Sequence, residues 1–121
     1  MSSARVGFIG VGSMGWPMAR CLHQAGFAPP VSAAPPGVAP RFSAEVGGQA
    51  AADCKTLAAQ SDVIITMLPT SAIVEQVLQG AQGVLAGLNA GAVIVEMSSG
   101  VPAITQRLAQ AVAEAGGELV D

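Results

Sequence analysis

Charge is scarce in this chain. Across 121 residues, 11% are charged and only five are Lys or Arg, against about 25% charged in an average soluble domain. The net charge is −3 and the isoelectric point about 4.9. There is no basic stripe, which argues against a nucleic-acid partner. Cysteine is equally sparse. Cys21 and Cys54 stand far apart with no metal-ligand spacing, so they read as reduced, small hydrophobic residues of an intracellular protein. No apolar run reaches the roughly 18 residues of a membrane span, and the N-terminus lacks a signal-peptide pattern. No membrane association and a cytoplasmic location are therefore expected. Lysine and histidine occur once each, as Lys55 and His23. His23 is expected on an outer helix face, and no Ser/His/Asp or Cys/His set can be assembled.

Apolar residues and glycine are abundant. Hydrophobic residues make up 51% of the chain, with 15 glycines and a mean hydropathy of +0.55. Two explanations stand side by side. Some apolar surface is meant for a partner or a missing domain, or the chain is simply rich in Ala, Val and Gly. The glycines that carry chemistry open the chain. Ala4–Gly15 reads A-R-V-G-F-I-G-V-G-S-M-G: an apolar strand running into Gly10-x-Gly12-x-x-Gly15, followed at once by a helix-period segment. In that context the motif is a dinucleotide-binding fingerprint. Gly10 permits the tight turn, Gly12 lets the backbone approach a pyrophosphate, and Gly15 lets the helix pack on the strand. The free N–H groups and positive dipole end of that helix face the phosphates. The bland alternative is a glycine-rich turn that only connects two elements.

Strands and helices alternate along the chain, which predicts an α/β fold: a doubly wound, Rossmann-type parallel sheet with helices on both faces. Strands are expected at Arg5–Ile9, Val31–Ala34, Val63–Met67 and Ala92–Glu96, with another beginning at Glu118–Val120. Val63–Met67 is the clearest buried strand. Helices are expected at Ser13–Ala25, stopped by Gly26, and at Arg41–Val46, Asp53–Gln60, Ser71–Leu78 and Val101–Ala115. Pro17 falls in a first helical turn, where it is tolerated. The inward faces should carry Met14, Met18, Leu22 and Ala25 in the first helix. Ile73, Val74, Val77 and Leu78 do so in the fourth, and Ile104, Leu108, Ala111 and Ala115 in the last. Gly80–Gly91 is loop and short helix. Two Pro-Pro pairs within Phe27–Pro40 leave room only for a short strand that cannot be fully laddered. Residues 1–121 form one domain by length. An incipient strand at Asp121 points to the cofactor-binding part of a longer protein.

Four ordered motifs carry a resemblance. Val6–Ala19 (V-G-F-I-G-V-G-S-M-G-W-P-M-A), Ser61–Pro69 (S-D-V-I-I-T-M-L-P), Gly80–Leu85 (G-A-Q-G-V-L) and Glu96–Pro102 (E-M-S-S-G-V-P) together resemble the N-terminal domain of the β-hydroxyacid dehydrogenases. That family includes 3-hydroxyisobutyrate dehydrogenase, tartronate semialdehyde reductase and, more distantly, 6-phosphogluconate dehydrogenase. The likeness spans the chain except Phe27–Arg41. It implies an NAD(P)-dependent oxidoreductase moving a hydride between nicotinamide and a small β-hydroxyacid or its semialdehyde. It implies backbone N–H groups of Val11, Gly12, Ser13 and Met14 on the pyrophosphate, and Leu68 and Pro69 along the ribose and adenine. It also implies Ser99 near the nicotinamide. Leu68-Pro69 also reads as a strand terminator, and Ser98 and Ser99 as helix caps. The family's catalytic lysine belongs to an all-helical domain absent here, which also carries most of its homo-oligomer contacts. Lys55 does not match that position. The substrate loop should begin at Asp121. This piece alone should bind cofactor without turnover.

Departures from the family pattern leave alternatives open. Ile73 stands where Asn is frequent, and Glu96 where Asp is usual. No Asp or Glu follows the second strand to bind a ribose 2′-OH, and the Asn-Arg-Thr of the family's NADP users is replaced by Ala33-Ala34-Pro35. The missing carboxylate leans the expectation from NAD toward NADP. Arg41 is either a solvated helix-start arginine or a side chain that swings to a 2′-phosphate. Trp16 packs either against the missing domain or in the core. A non-catalytic dinucleotide-sensing module, or an interaction fold whose cofactor site has decayed, would keep the same glycines without the lysine.

Overall fold

The computed structural model describes residues 5–12, 14–33, 37–97 and 102–120. Five strands, β1 (Val6–Ile9), β2 (Val31–Ser32), β3 (Val63–Thr66), β4 (Val93–Glu96) and β5 (Glu118–Val120), form one sheet in the order β2-β1-β3-β4-β5. Every pairing is parallel, with Phe8 opposite Val31, Ile9 opposite Thr66, Ile65 opposite Val95 and Val95 opposite Val120. The helices are α1 (Gly15–Gln24), α2 (Val38–Glu45), α3 (Cys54–Ala59), α4 (Ser71–Gln79), α5 (Val84–Gly87) and α6 (Pro102–Glu114). The chain leaves β1 in one direction to make β2, then returns past β1 to make β3. The strand order therefore reverses at β1 and β3, and a crevice opens beyond their carboxyl ends.

The period-2 alternation of strand side chains divides the core into two layers. Phe8, Val11, Ala19, Val31, Ala39 and Phe42 pack on the α1–α2 face. Ile9, Leu57, Ile64, Leu68, Val74, Leu78, Ile94, Leu108 and Val112 pack on the other, beneath α3 to α6. The covering is uneven. Ile64 and Thr66 of β3 are fully buried, while Val63 and Ile65 on the opposite face are only half-buried. The same asymmetry marks β4. Among the described residues, no helix is long and apolar enough to cross a membrane.

Local chemistry explains where the elements begin and end, including departures from the sequence expectation. Helix α1 starts at Gly15 and ends at Gln24. Its inward face is Gly15 and Ala19, with Trp16, Met18 and Leu22 partly buried. Met14, expected inside, is 66% exposed, and Ala25 is exposed too. Gly26, at φ +97°, closes the helix: its N–H donates to the His23 carbonyl and that of Phe27 to the Leu22 carbonyl, the two bonds of a Schellman motif. Gly116 closes α6 in the same way, through Gly116 N–H to Ala113 and Gly117 N–H to Val112.

On α6 the buried face runs through Leu108 and Val112, one helical turn apart, and Ala115, expected inside, is exposed. Helix α2 begins at Val38, three residues before the expected Arg41, with Gly37 at φ +87° as its cap. Pro40 sits in its first turn, whose N–H groups have no helical partner. Strand β2 is shorter than expected, ending at Ser32, and its Val31 also pairs with Ala50 through an isolated parallel bridge; Ala34 lies outside the described residues. His23, expected on an outer face, is half-buried. Its Nδ1 is buried with no hydrogen-bond partner among the described residues. The side-chain-free Gly47, at φ +124°, lets the α2–α3 connection approach the ring so closely that a Cβ there would lie 2.6 Å from Nε2.

Candidate functional site

The crevice is built by three glycines with different reasons to be glycine. Gly10, at φ +102°, ends β1 in a conformation that disfavours L side chains. A Cβ there would collide with the carbonyl oxygen of Met67. Gly10 N–H donates to Ser32 O at 2.8 Å and Met67 N–H to Ile9 O at 2.9 Å, so this turn is tied to both neighbouring strands. Gly15 opens α1 against that turn: a Cβ on it would strike the Gly10 carbonyl and approach the Phe8 ring at 3.1 Å. The fold itself demands both residues. Gly12 differs. It lies outside the positive-φ glycines, and a Cβ on it would meet nothing within 4 Å. Among the described residues it is the one glycine that neither backbone conformation nor packing requires.

Three cavities meet at Gly12. The first, about 280 Å³, is lined by Gly10, Val11, Gly12, Ala33, Val38, Met67, Leu68, Pro69 and Ile73. These residues are all apolar, so the cavity suits a flat, apolar ring. The second, also about 280 Å³, lies toward α1, between Gly12, Met14 and Gly15 on one side and Met67, Leu68 and Pro69 on the other. The third, about 500 Å³, opens between α1 and α2 and carries Trp16, Pro17, Arg41 and Glu45. At the start of α1 the Trp16 N–H donates to the Gly12 carbonyl at 2.8 Å. Met14 precedes the helix with no side-chain cap, and the first turn holds no acidic residue. Among the described residues no side chain caps or compensates the start of α1 beside this crevice, an arrangement that favours an anion.

Of the residues singled out from the sequence, Gly10, Val11, Gly12, Met14, Gly15, Leu68 and Pro69 converge on these cavities. Leu68 is buried and Pro69 exposed at the rim. Ser13 and Ser99 lie outside the described residues. Sequence reasoning missed Val38, which walls the first cavity together with Ala33 of the cofactor-selecting segment. Nothing in a helix-start valine after two proline pairs marks it as a wall. Trp16, left between two roles, is half-buried, edge-to-face with Phe42 at 4.9 Å and beneath the Arg41 guanidinium at 5.3 Å.

The ionisable groups with displaced pKa stand away from this crevice. Asp53 caps α3 by accepting the Thr56 N–H at 2.7 Å, which holds its carboxyl below the usual value. Asp62 is lowered by hydrogen bonds from the Arg5 side chain and backbone. Burial pushes the Cys54 thiol up, beside Ser32 Oγ at 3.7 Å. Lys55, on α3, lines none of the three cavities. Glu96 is buried at the end of β4 and accepts the Thr66 hydroxyl at 2.6 Å. The sequence departure from Asp to Glu there is thus absorbed by a bond to the neighbouring strand. Among the described residues, no group of three or more His, Cys, Asp or Glu could hold a metal ion.

A parallel sheet with a glycine-lined, uncapped helix start at its switch point defines a Rossmann-type dinucleotide-binding domain. Comparison with known proteins narrows the class. The chain belongs to the family described as the NAD binding domain of 6-phosphogluconate dehydrogenase, matching it over residues 5–121. It is 42% identical to 2-(hydroxymethyl)glutarate dehydrogenase of Eubacterium barkeri, covering 98% of this chain and 39% of that protein. It is 36% identical to the mitochondrial 3-hydroxyisobutyrate dehydrogenase of Mus musculus, covering 99% of this chain and 36% of the relative. Its fold is similar to that of 3-hydroxyisobutyrate dehydrogenase from Mycobacterium tuberculosis, with a TM-score of 0.87 at 24% identity over 98% of this chain and 39% of that one. The chain thus spans about two fifths of the length of the relatives it matches.

Proposed function

We propose that this chain is the cofactor-holding domain of an NAD(P)-dependent β-hydroxyacid dehydrogenase or reductase. The observation that carries the reading is Gly12, whose missing Cβ serves no purpose of the fold and opens the space where three cavities meet. In this reading the backbone N–H groups of Val11, Gly12, Ser13 and Met14 hold the pyrophosphate. Gly10 and Gly15 shape the loop. Leu68 and Pro69 lie along the adenosine, whose ring fills the apolar cavity closed by Val38 and Ile73. Ser99 stands near the nicotinamide. When bound, the nicotinamide supplies hydride chemistry to a small hydroxyacid or semialdehyde. This chain's residues bind and orient it. Arg41 and Glu45 are the only ionisable side chains lining the three cavities among the described residues, and both stand in the cavity between α1 and α2. In the relatives' longer architecture a helical domain would supply the lysine and the homo-oligomer contacts. NADP is favoured over NAD, since residues 33–40, directly after β2, hold no Asp or Glu to bind a ribose 2′-hydroxyl.

Calorimetric titration with NADP and with NAD tests the reading. Binding of either, lost in Gly12→Val, supports it. A folded chain that binds neither overturns it. Lys55, the single lysine of the chain, lines none of the three cavities, which suits a second reading, a dinucleotide-sensing module. Turnover of a hydroxyacid by a longer protein containing this domain would exclude that alternative.

A further inference from the structure

The third cavity holds a charged assembly that binding of the adenosine and pyrophosphate leaves unused. Arg41, on α2, lays its guanidinium over the Trp16 ring at 5.3 Å and donates from Nε to Glu45 Oε2 at 2.6 Å. Trp16 is in turn fixed edge-to-face against Phe42, a fully buried residue of α2. The guanidinium is therefore held on two sides although its side chain is 71% exposed. Its terminal nitrogens have no partner among the described residues. The cavity shares Val11, Gly12 and Val38 with the apolar one. Beside it, α2 starts at Val38 with no side-chain cap.

We infer that Arg41 is the specificity-determining residue for a phosphomonoester on the adenosine ribose, with Trp16 as its platform and Glu45 as its brake. The inference rests on the proposal that adenosine occupies the apolar cavity. A ring seated between Val38 and Leu68 brings its ribose to the shared wall of Val11 and Gly12, and a 2′-phosphate then projects into the third cavity. A guanidinium with both terminal nitrogens available presents the fork that a phosphate accepts bidentately. Stacking on Trp16 preorganises that fork. Glu45 holds Nε and leaves the fork available, but its negative charge stands close to the incoming phosphate and weakens it. The site thus replaces the missing selector after β2 with one from the following helix. Its strength is set by a carboxylate that can be removed without disturbing geometry, because a glutamine carbonyl also accepts from Nε.

The test is titration of the 121-residue chain with NADP, NAD, 2′,5′-ADP and 5′-ADP, read by calorimetry and by the fluorescence of Trp16, the single tryptophan. The 2′-phosphorylated ligands should bind about tenfold or more tightly than their partners, the scale of a charge-assisted hydrogen bond, and should shift Trp16 emission. Arg41→Gln should bring the NADP-to-NAD ratio near one and leave NAD binding unchanged. Glu45→Gln should raise the ratio. An unchanged ratio in Arg41→Gln overturns the inference. So does an equal loss of both cofactors in that variant, or tighter binding of NAD by the unaltered chain. If the unaltered chain binds none of the four ligands, the cofactor site itself is overturned, and this subsite falls with it.

Discussion

Replacing Gly12 by alanine separates what the fold needs from what a ligand needs. In the free protein the added methyl meets nothing within 4 Å and the backbone is not left-handed, so no contact is lost. Alanine also restricts the unfolded chain, a gain of about 0.4–1 kcal/mol where the native conformation is compatible. For a domain of this size that is a rise in Tm of about 2–6 °C. With a dinucleotide present, the same methyl fills the approach to the pyrophosphate. Overpacking a fitted contact costs about 1–3 kcal/mol, or roughly 5-fold to 150-fold in affinity. Gly10→Ala is the opposite case. Its φ of +102° and its collision with the Met67 carbonyl add a left-handed penalty of about 1–2 kcal/mol to a clash with backbone that cannot yield. Thermal unfolding followed by circular dichroism, with a titration of each variant, reads both effects. Gly12→Ala should melt at or above the unaltered protein and bind weakly, whereas Gly10→Ala should melt several degrees lower. Equal losses of Tm in the two variants, or undiminished binding by Gly12→Ala, would refute the reasoning.

Further expectations concern the rest of the molecule. Asp53 and Asp62 have folded pKa values below the usual 3.8, so their stabilisation is fully present above that value and is lost as pH falls through the lowered ones. Acid unfolding of Asp53→Asn and Asp62→Asn should therefore be less steep below about pH 4 than that of the unaltered protein, and superimposable profiles would count against these contacts. Cys21 is exposed and Cys54 half-buried, with the Cys54 thiol pushed up by burial. A thiol reagent at neutral pH should show one fast and one slow phase, with Cys21→Ser removing the fast one. Thr66→Val removes the hydroxyl that donates to the buried Glu96 carboxyl and should cost about 1–3 kcal/mol in urea unfolding; a change within about 0.5 kcal/mol would mean that this bond adds nothing to stability.

Much of this architecture was legible because the period-2 and period-3.6 patterns are undisturbed where strand and helix are buried together. V-I-I-T-M announced β3, and Gly26 announced the end of α1. The failures fall at helix ends, where local turn geometry rather than periodicity decides which way a side chain faces. Met14 fits the helical period of α1, but the glycine loop turns it outward. Ala115 continues the helical bonding of α6, its N–H donating to Ala111 O, yet it stands exposed beyond Val112, the last buried residue of that helix. The start of α2 at Val38 was read three residues late, because Gly37 as a cap and Pro40 in the first turn leave no apolar period in the sequence to mark it. The glycine loop and Leu68-Pro69 were readable from motif alone. The Trp16–Arg41 stack was not, because it joins helices separated by β2, and nothing in either segment names its partner.

The crevice is walled by both hydrophobic layers. Val11 and Val38 belong with the α1–α2 layer and Leu68 and Ile73 with the α3–α6 layer. Anything seated there would be a strut between two halves that otherwise communicate through the strands between them. A ligand at one hundred times its dissociation constant adds about 2.7 kcal/mol to the bound form, and here that increment is shared across the sheet. Amide exchange in α2 and α4, on opposite faces, should slow in step as the crevice fills, so that the halves of the empty domain breathe separately and those of the loaded one together.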